Sequence, residues 1–213
     1  MLEYHKINSV YMRDPATKHK SFIEDEWAQP EFEYLANAEW EWTEKVDGTN
    51  MRVEWCDGQV SFGGRTENAQ IPVPLMDRMY ELFPPVKMAH QFENLPDFGC
   101  VTLFGEGYGE KIQKGGGNYK SDGCDFVLFD VNINGIFLRR ETIEEIALQM
   151  KIDIAPIVGR GTLRHAVHLA RSGFPSEWGD FQAEGLVMRP SCEILTNQGK
   201  RIICKVKCRD FLR

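Results

Sequence analysis

Apolar and polar residues alternate in several short segments of the chain, and this period of two predicts β-strands. MRVEW and QVSFG flank the turn pair Asp57-Gly58. A strand-like run from Cys124 to Val131 is followed by Asn134-Gly135 and the segment IFLRR. Both arrangements predict hairpins, since Asp-Gly and Asn-Gly favour the tight turns that join antiparallel strands. LVMRP and RIICKVK predict further short strands.

Three segments predict helices. Leu75 to Phe83 forms the first, which Pro84-Pro85 should end. Thr142 to Met150 forms the second, and the third begins after the capping residue Thr162 and ends near Gly173. Helices mixed with antiparallel hairpins indicate the α+β class.

The composition is that of a soluble globular protein, with 213 residues, 42% apolar and 27% charged. No Pro/Ser-rich linker divides the sequence, so we predict one domain over residues 1–213. The glycine-rich segment from Gly105 to Gly123 predicts a mobile loop. No apolar run is long enough to cross a membrane, and the first residues lack a signal core. We therefore expect a cytoplasmic protein with no membrane partner.

The net charge and the cysteine content limit the classes of protein that fit this sequence. The net charge of −7 argues against a protein that coats nucleic acid with a generally basic surface, but it leaves room for a local basic cleft. The six cysteines show no CxxC pair, and without a signal peptide they are expected to be reduced thiols.

The first segment whose residues could take part in catalysis is Glu44-Lys45-Val46-Asp47-Gly48-Thr49-Asn50, just before a predicted strand. A lysine becomes a nucleophile when desolvation or nearby cations lower its pKa. By itself, the segment is equally typical of a surface lysine followed by an Asp-Gly turn.

Two further segments end or form predicted strands. In Leu103 to Gly109, Glu106 lies between glycines that leave backbone room for a ligand, although an ordinary strand exit has the same pattern. In Asp125 to Val131, alternation places Phe129 and Val131 on one face and Asp130 on the other. A strand aromatic is usually core, but it can also stack on a base.

The last two segments lie near the C-terminal end. Ala183 to Pro190 carries Glu184, and Ile202 to Lys207 carries two lysines. In a strand, Lys205 and Lys207 point to the same face, where they repel each other unless water or an anion lies between them. An exposed edge strand protected by lysines is one explanation. Polyphosphate binding is the more specific one.

In order, EKVDGTN, FGEGYG, DFVLFDV, AEGLVMRP and KVK resemble the five motifs of the covalent lysine nucleotidyltransferases. That superfamily contains ATP-dependent DNA ligases, RNA ligases and mRNA capping enzymes. Asn50 stands where the DNA ligase and capping pattern usually has Arg, so the chain looks most like the RNA ligase 2 family. The resemblance implies a nucleotidyltransferase domain, ATP-grasp-like, with antiparallel sheets flanked by helices.

Other matches extend the resemblance over roughly Thr43 to Arg213. They are Gly63-Gly64-Arg65-Thr66, Ile112-Gln113-Lys114, the segment from Ile154 to Gly161, and Phe211. Two residues depart from the usual pattern: Asp47 replaces a His of the type member, and Arg189 replaces a familiar Lys. The chain stops after the fifth motif, so we expect no C-terminal end-binding domain, and an accessory protein could supply that function.

The resemblance implies an ATP-dependent RNA ligase that joins 3′-OH and 5′-phosphate ends. The expected partners are RNA ends, at nicks in duplex RNA or in an RNA/DNA hybrid. Lys45 would attack the α-phosphate of ATP to give lysine–AMP, AMP would pass to the 5′-phosphate, and the 3′-OH would displace it. Glu184, Lys205 and Lys207 are the other expected catalytic residues.

The residues that the resemblance assigns to the nucleotide lie in or beside the motifs: Glu44, Val46, Asn50, Arg65, Glu106, Phe129, Glu184, Lys205 and Lys207. Phe129 is expected to stack on adenine and Glu44 to lie beside its edge. Lys207 is expected to contact the α-phosphate, with Lys205 close behind.

A divalent metal is also implied. The carboxylates of Asp47, Glu106 and Glu184 are suited to Mg²⁺ or Mn²⁺, since Mg²⁺ prefers oxygen ligands and keeps several waters. We expect most of these contacts to be made through water.

Alternatives stay open at this point. The chain could be a minimal ATP-dependent DNA ligase or an enzyme that adenylylates polynucleotide 5′ ends. A different class is a degenerate, non-catalytic module that binds nucleic-acid ends. The retained Lys45, Glu106, Glu184, Lys205 and Lys207 argue against such a loss of activity. A virus or a bacterium could encode such a chain.

Overall fold

The computed structural model describes residues 1–94 and 99–211, so the last two residues of the predicted domain, Leu212 and Arg213, lie outside it. The strands are β1 (Asn8–Ser9), β2 (Tyr11–Arg13), β3 (Phe22–Trp27), β4 (Trp40–Glu44), β5 (Thr49–Cys56), β6 (Gln59–Gly63), β7 (Val101–Gly109), β8 (Cys124–Ile133), β9 (Ile136–Phe137), β10 (Asp153–Ile154), β11 (Ile157–Gly161), β12 (Gly185–Pro190) and β13 (Cys204–Lys207). The helices are α1 (Pro30–Tyr34), α2 (Val73–Leu82), α3 (Pro85–Gln91), α4 (Gly116–Tyr119), α5 (Arg140–Met150) and α6 (Leu163–Ser172). Short 3₁₀ turns cover Pro15–Thr17 and Cys208–Phe211.

The chain forms two compact units. Unit 1 holds Met1–Tyr4 and Asp47–Ala155, and unit 2 holds His5–Val46 together with the residues from Pro156 onward. Both contain mainly antiparallel sheet with helices, so the α+β prediction is confirmed. The single domain over residues 1–213 stays a prediction. In the described part of the chain, no helix combines the length and apolarity needed to cross a membrane.

Unit 1 is built on a sheet of strand order β10-β8-β7-β5-β6, with β9 added to β8. All of these pairs are antiparallel except β10 with β8. Helices α2 and α5 pack on β8. Their apolar residues Leu75, Met79 and Ile143 join Phe126 and Leu128 of β8 in a fully buried core.

Unit 2 is built on a sheet of strand order β1-β13-β12-β4-β11. The pair β1 and β13 is parallel, and the other pairs are antiparallel. One face carries a core in which Trp40, Leu186 and Val206 pack with Leu163 and Ala166 of α6. Strands β2 and β3 form a separate two-stranded sheet.

Both hairpins are present. The turn residues Asp57 and Gly58 have φ of 51° and 74°, and Asn134 and Gly135 have φ of 51° and 88°. Two successive positive φ angles are what the two-residue hairpin turn of the mirror type requires, and Asn, Asp and Gly tolerate them best.

The helix predictions are confirmed in place but not in every boundary. Thr162 caps α6, because its Oγ1 accepts a hydrogen bond from the backbone N–H of His165 at 3.2 Å. Helix α5 begins at Arg140, two residues before the predicted start. Pro84-Pro85 ends α2 as expected, but Pro85 also begins α3, which the pattern missed. Proline is well tolerated at the first position of a helix because that N–H needs no partner.

The mobile loop predicted from Gly105 to Gly123 was wrong for much of its length. Gly105 to Gly109 belong to β7, and α4 follows. Gly116 is buried against this strand, since a Cβ added to it would lie 2.1 Å from the carbonyl oxygen of Gly109. The segment is therefore packed against its own sheet.

The cysteine prediction was also wrong for one pair. Cys56 and Cys100 form a disulfide, whereas Cys124, Cys192, Cys204 and Cys208 are free thiols. The reason is the register of β5 and β7, in which Trp55 pairs with Val101 and so brings the two flanking cysteines opposite each other. Spacing along the sequence could not show this, because the cysteines are separated by 44 residues.

Neighbouring glycines of α4 provide a test of this packing. Gly116→Ala should lower the free energy of unfolding by about 1–3 kcal/mol, as expected for an extra carbon in a filled site. Gly117→Ala is the matched control, since a Cβ there meets nothing within 4 Å. Urea denaturation of both variants measures the difference, and equal stabilities would contradict the packed arrangement.

Candidate functional site

Three strand ends of unit 2 meet where the first, fourth and fifth motifs lie. Lys45, just after β4, donates its backbone N–H to the carbonyl of Gly185 at 2.9 Å, and Gly185 pairs with Lys207 in β13. A Cβ on Gly185 would lie 2.0 Å from the carbonyl oxygen of Val206, so only glycine allows this close approach. The neighbouring Glu184 is thereby held beside both lysines.

The side chains of these three residues form an ion-paired cluster. The Nζ of Lys45 lies 2.5 Å from Oε2 of Glu184, and the Nζ of Lys207 lies 2.5 Å from its Oε1. The Glu184 side chain is only 10% exposed. A mostly buried carboxylate is stabilised by opposite charges on both oxygens, and the cluster keeps a net charge of +1.

Lys205 and Lys207 share one face of β13, as predicted. Cys204 and Val206, which alternate with them, are buried in the core of unit 2. Lys205 pairs in register with Val187 of β12 and Ser9 of β1, so β13 is an interior strand of its sheet. This position excludes the explanation that the lysines protect an exposed edge.

Glu44, the residue before Lys45, is held within unit 2 by two hydrogen bonds. It is 2% exposed, and its carboxylate accepts hydrogen bonds from Oγ of Ser176 at 2.6 Å and from the backbone N–H of Glu177 at 2.8 Å. Burial raises its pKa, although the two hydrogen bonds act in the opposite direction. Glu44 therefore fixes the turn at residues 176–177. A contact with the adenine edge stays a prediction.

Val46 is buried, and its backbone carbonyl accepts a hydrogen bond from the Nζ of Lys45 at 3.3 Å. The Lys45 amine is thus held from two sides, by this carbonyl and by Glu184.

The remaining predicted site residues belong to unit 1. Asn50 of β5 lies directly opposite Glu106 of β7, on the face away from the core that holds Met51 and Val53. The Oδ1 of Asn50 is buried without a hydrogen-bond partner among the described residues. Such an atom is costly unless a ligand or water pairs with it.

Phe129 lies at an irregularity in β8. Phe104 of β7 pairs with Asp130, whereas the next residue, Gly105, pairs with Leu128, so Phe129 is an extra residue without a partner. The predicted alternation was therefore wrong, because a β-bulge inserts one residue and changes which side chains face the core. Val131 is in the core, whereas Phe129 is half-buried and outside it.

An aromatic contact orients Phe129. The ring of Tyr4 lies edge-on to it, with centroids 5.1 Å apart, and the Tyr4 hydroxyl donates a hydrogen bond to Oδ2 of Asp130 at 2.8 Å. No local pattern indicated this hydrogen bond, since Tyr4 and Asp130 are 126 positions apart. Ser176 was missed for the same reason, as it lies 132 positions from Glu44.

The predicted metal-binding carboxylates belong to different units, Asp47 and Glu106 to unit 1 and Glu184 to unit 2. Among the residues that the structure describes, no three His, Cys, Asp or Glu side chains are grouped so that they could hold a metal ion. Asp47 lies beside the glycine-rich segment, with its Oδ2 3.2 Å from the position of a Cβ on Gly115. Metal contacts through water stay a prediction.

Arg65 is exposed in the turn after β6. The preceding Gly64 is fixed by the fully buried Arg52, whose Nε donates to the Gly64 carbonyl at 2.7 Å. A contact of Arg65 with phosphate or RNA stays a prediction.

Several solved structures of one RNA ligase have a similar fold. Naegleria gruberi RNA ligase with PPi matches at a TM-score of 0.68 and 22% identity, over 97% of this chain and 56% of that one. Variants of that ligase with ATP and Mn, and with AMP and Mn, each match at a TM-score of 0.62 and 23% identity, over 84% of this chain and 52% of theirs. The chain therefore spans about half the length of these structures.

A search of curated proteins found no match. Comparison with protein-family models matches residues 38–207 to the family described as RNA ligase. The matched region begins before β4 and ends at Lys207, so it contains all five motifs and most of the chain. The chain belongs to the RNA ligase family.

Proposed function

We propose that the chain is the adenylyltransferase part of an ATP-dependent RNA ligase that works through a covalent lysine–AMP intermediate. The observation that carries this proposal is the cluster of Lys45, Glu184 and Lys207, in which one carboxylate lies 2.5 Å from each of two amines. Family membership supports the same chemistry.

Lys45 is the proposed nucleophile. Attack requires a neutral amine, and a lysine at its reference pKa of about 10.4 is almost fully protonated at neutral pH. The Glu184 carboxylate is within hydrogen-bond reach of Nζ and is the proposed proton acceptor. As the bond from Nζ to the α-phosphorus forms, the bond from that phosphorus to the pyrophosphate oxygen breaks. Lys207 and Lys205 then stabilise charge on the phosphoryl group.

The proposed adenine contact is Phe129. Its half-buried ring lies outside the core, and the edge-on contact with Tyr4 limits its orientation. The unpartnered Asn50 Oδ1 on the same sheet supports the presence of a polar ligand. These features fit a nucleotide, and ATP is the proposed one.

Magnesium or manganese is the proposed metal. Asp47, Glu106 and Glu184 would hold it largely through water, and it would supply positive charge beside the transferring phosphate. Carboxylate oxygens suit both ions, so the donor chemistry fits the metal.

RNA is the proposed polynucleotide. AMP would pass from Lys45 to the 5′-phosphate of an RNA end, and the 3′-OH would displace AMP to seal a nick. Asn50 supports RNA over DNA, since it resembles the RNA ligase 2 pattern. The cytoplasmic location and the accessory protein stay predictions.

Incubation with α-labelled ATP and Mg²⁺ tests the nucleophile. The unaltered chain should become labelled, and both Lys45→Ala and Lys45→Arg should lose the label, because an arginine keeps the charge beside Glu184 but does not attack. A denaturing gel measures the label. Lys200→Ala, at an exposed position, is the control that should keep full labelling. Label on the Lys45 variants would overturn the assignment.

Comparing alanine variants of two phenylalanines in β8 distinguishes an effect on nucleotide binding from an effect on folding stability. Phe129→Ala should weaken ATP binding by about 1–3 kcal/mol, the cost of losing one base–aromatic stack, with little change in the melting temperature. Phe126→Ala should instead cost about 3–5 kcal/mol of folding stability, as its ring is fully buried. Calorimetric titration with ATP and thermal unfolding distinguish the two. A dominant stability loss at Phe129 would favour a core role.

Sealing of nicked duplexes tests the polynucleotide. With equal ATP, the chain should join an RNA nick faster than the same nick in all-DNA form. Faster sealing of DNA would favour a minimal DNA ligase, and self-labelling with transfer to 5′ ends but no joining would favour an end-adenylylating enzyme.

A further inference from the structure

The sheet of unit 2 has one face that carries no part of the core. We call it the open face. It is formed by the side chains that alternate with the buried residues of β4, β11, β12 and β13: Glu41, Thr43, Arg160, Val187, Arg189, Lys205 and Lys207, with Lys45 at its end. In a protein with a net charge of −7, this face and the adjoining Glu184 together have a net charge of +3.

Glu41 lies at the opposite end of this face from Lys45. In the register of the sheet it pairs with Arg189 of β12 on one side and with Arg160 of β11 on the other. Its Oε2 accepts hydrogen bonds from Nε and Nη2 of Arg160 at 3.2 and 2.9 Å, and its Oε1 accepts one from Nη2 of Arg189 at 3.3 Å.

One buried carboxylate thus positions two guanidinium groups. The Glu41 side chain is 8% exposed, whereas that of Arg160 is 56% exposed. Opposite charges compensate the burial of Glu41, and the three side chains together carry one net positive charge. Arginine held in this way is well suited to phosphate, because its planar group offers several N–H donors and stays charged.

The position of this pair favours a polynucleotide over ATP. Glu41 lies in β4 and Lys45 directly follows that strand, so extended backbone over four residues places their Cα atoms roughly 13 Å apart. When Lys45 attacks the α-phosphate of ATP, the β- and γ-phosphates extend from that point by only two P–O–P links, a short distance compared with the separation of Glu41 and Lys45. A polynucleotide strand continues for as many phosphates as the surface can hold.

We propose that Arg160 and Arg189, positioned by Glu41, bind the phosphodiester backbone of the RNA strand on the open face. This inference rests on the proposed function, since RNA is the proposed substrate. The known pattern of five motifs includes neither Glu41 nor Arg160, and nothing in their local sequence indicates that they meet.

Binding of a nicked RNA duplex without ATP tests the site independently of the covalent chemistry. The dissociation constant, Kd, is measured between about 50 and 200 mM salt. The logarithm of Kd rises with the logarithm of the salt concentration, and each lost phosphate contact makes this slope smaller by about 0.7–0.9. Arg160→Ala should lower the slope by that amount, and Arg160→Ala with Arg189→Ala by about twice as much. Glu41→Gln, which keeps the shape but releases both arginines, should weaken binding while thermal unfolding shows a folded protein.

The exposed Arg139 in unit 1 provides the control, and Arg139→Ala should leave the slope unchanged. Self-labelling with α-labelled ATP is followed in the same variants and should stay at the level of the unaltered chain. An unchanged slope for Arg160→Ala would overturn the proposal, as would a parallel rise in the KM for ATP, which would assign the arginines to the triphosphate. Failure of the unaltered chain to label itself would instead count against the proposed function.

Discussion

The ion-paired contact of Glu184 with both Lys45 and Lys207 constrains the rest of unit 2. A carboxylate this deeply buried needs compensating charge, and two lysines on different strands supply it. They can do so only if β4, β12 and β13 end at the same place. Gly185 makes that possible, because any side chain there would collide with the backbone of β13. The close backbone contact at Gly185 and the ion pairs of Glu184 therefore stabilise the same arrangement of the three strands.

Three glutamates in or near β4 are mostly buried, and their different hydrogen-bond and ion-pair partners give them different roles. Among the described residues, Glu184 has two lysine amines as partners, Glu41 has two guanidinium groups, and Glu44 has a hydroxyl and a backbone N–H. Burial raises the pKa of Glu44, although its two hydrogen bonds act in the opposite direction. Glu44 therefore holds a turn, whereas each of the other two holds a pair of cationic side chains.

Signals confined to a few residues were read correctly from the sequence. The hairpin turns at Asp57-Gly58 and Asn134-Gly135, the cap at Thr162 and the shared face of Lys205 and Lys207 all depend on short-range geometry. What the sequence could not provide are contacts between distant positions. The partners of Glu44 and Glu41 and the disulfide of Cys56 come from strand pairing and the packing of loops, which no local pattern specifies. The open face is the clearest example, since its charges become neighbours only in the sheet.

The unpaired Phe129 gives β8 a change of phase along its length. Before Phe129, the even-numbered residues Phe126 and Leu128 face the core. After it, the odd-numbered residue Val131 faces the core. With Phe129 kept in strict alternation, Asp130 would face the apolar core, and the bulge avoids this by leaving Phe129 unpaired. A related chain without the extra residue would keep the same side chains of this strand in its core and would lose only the half-buried ring outside it. The presence of the extra residue in an alignment of this segment therefore shows which related chains keep that ring.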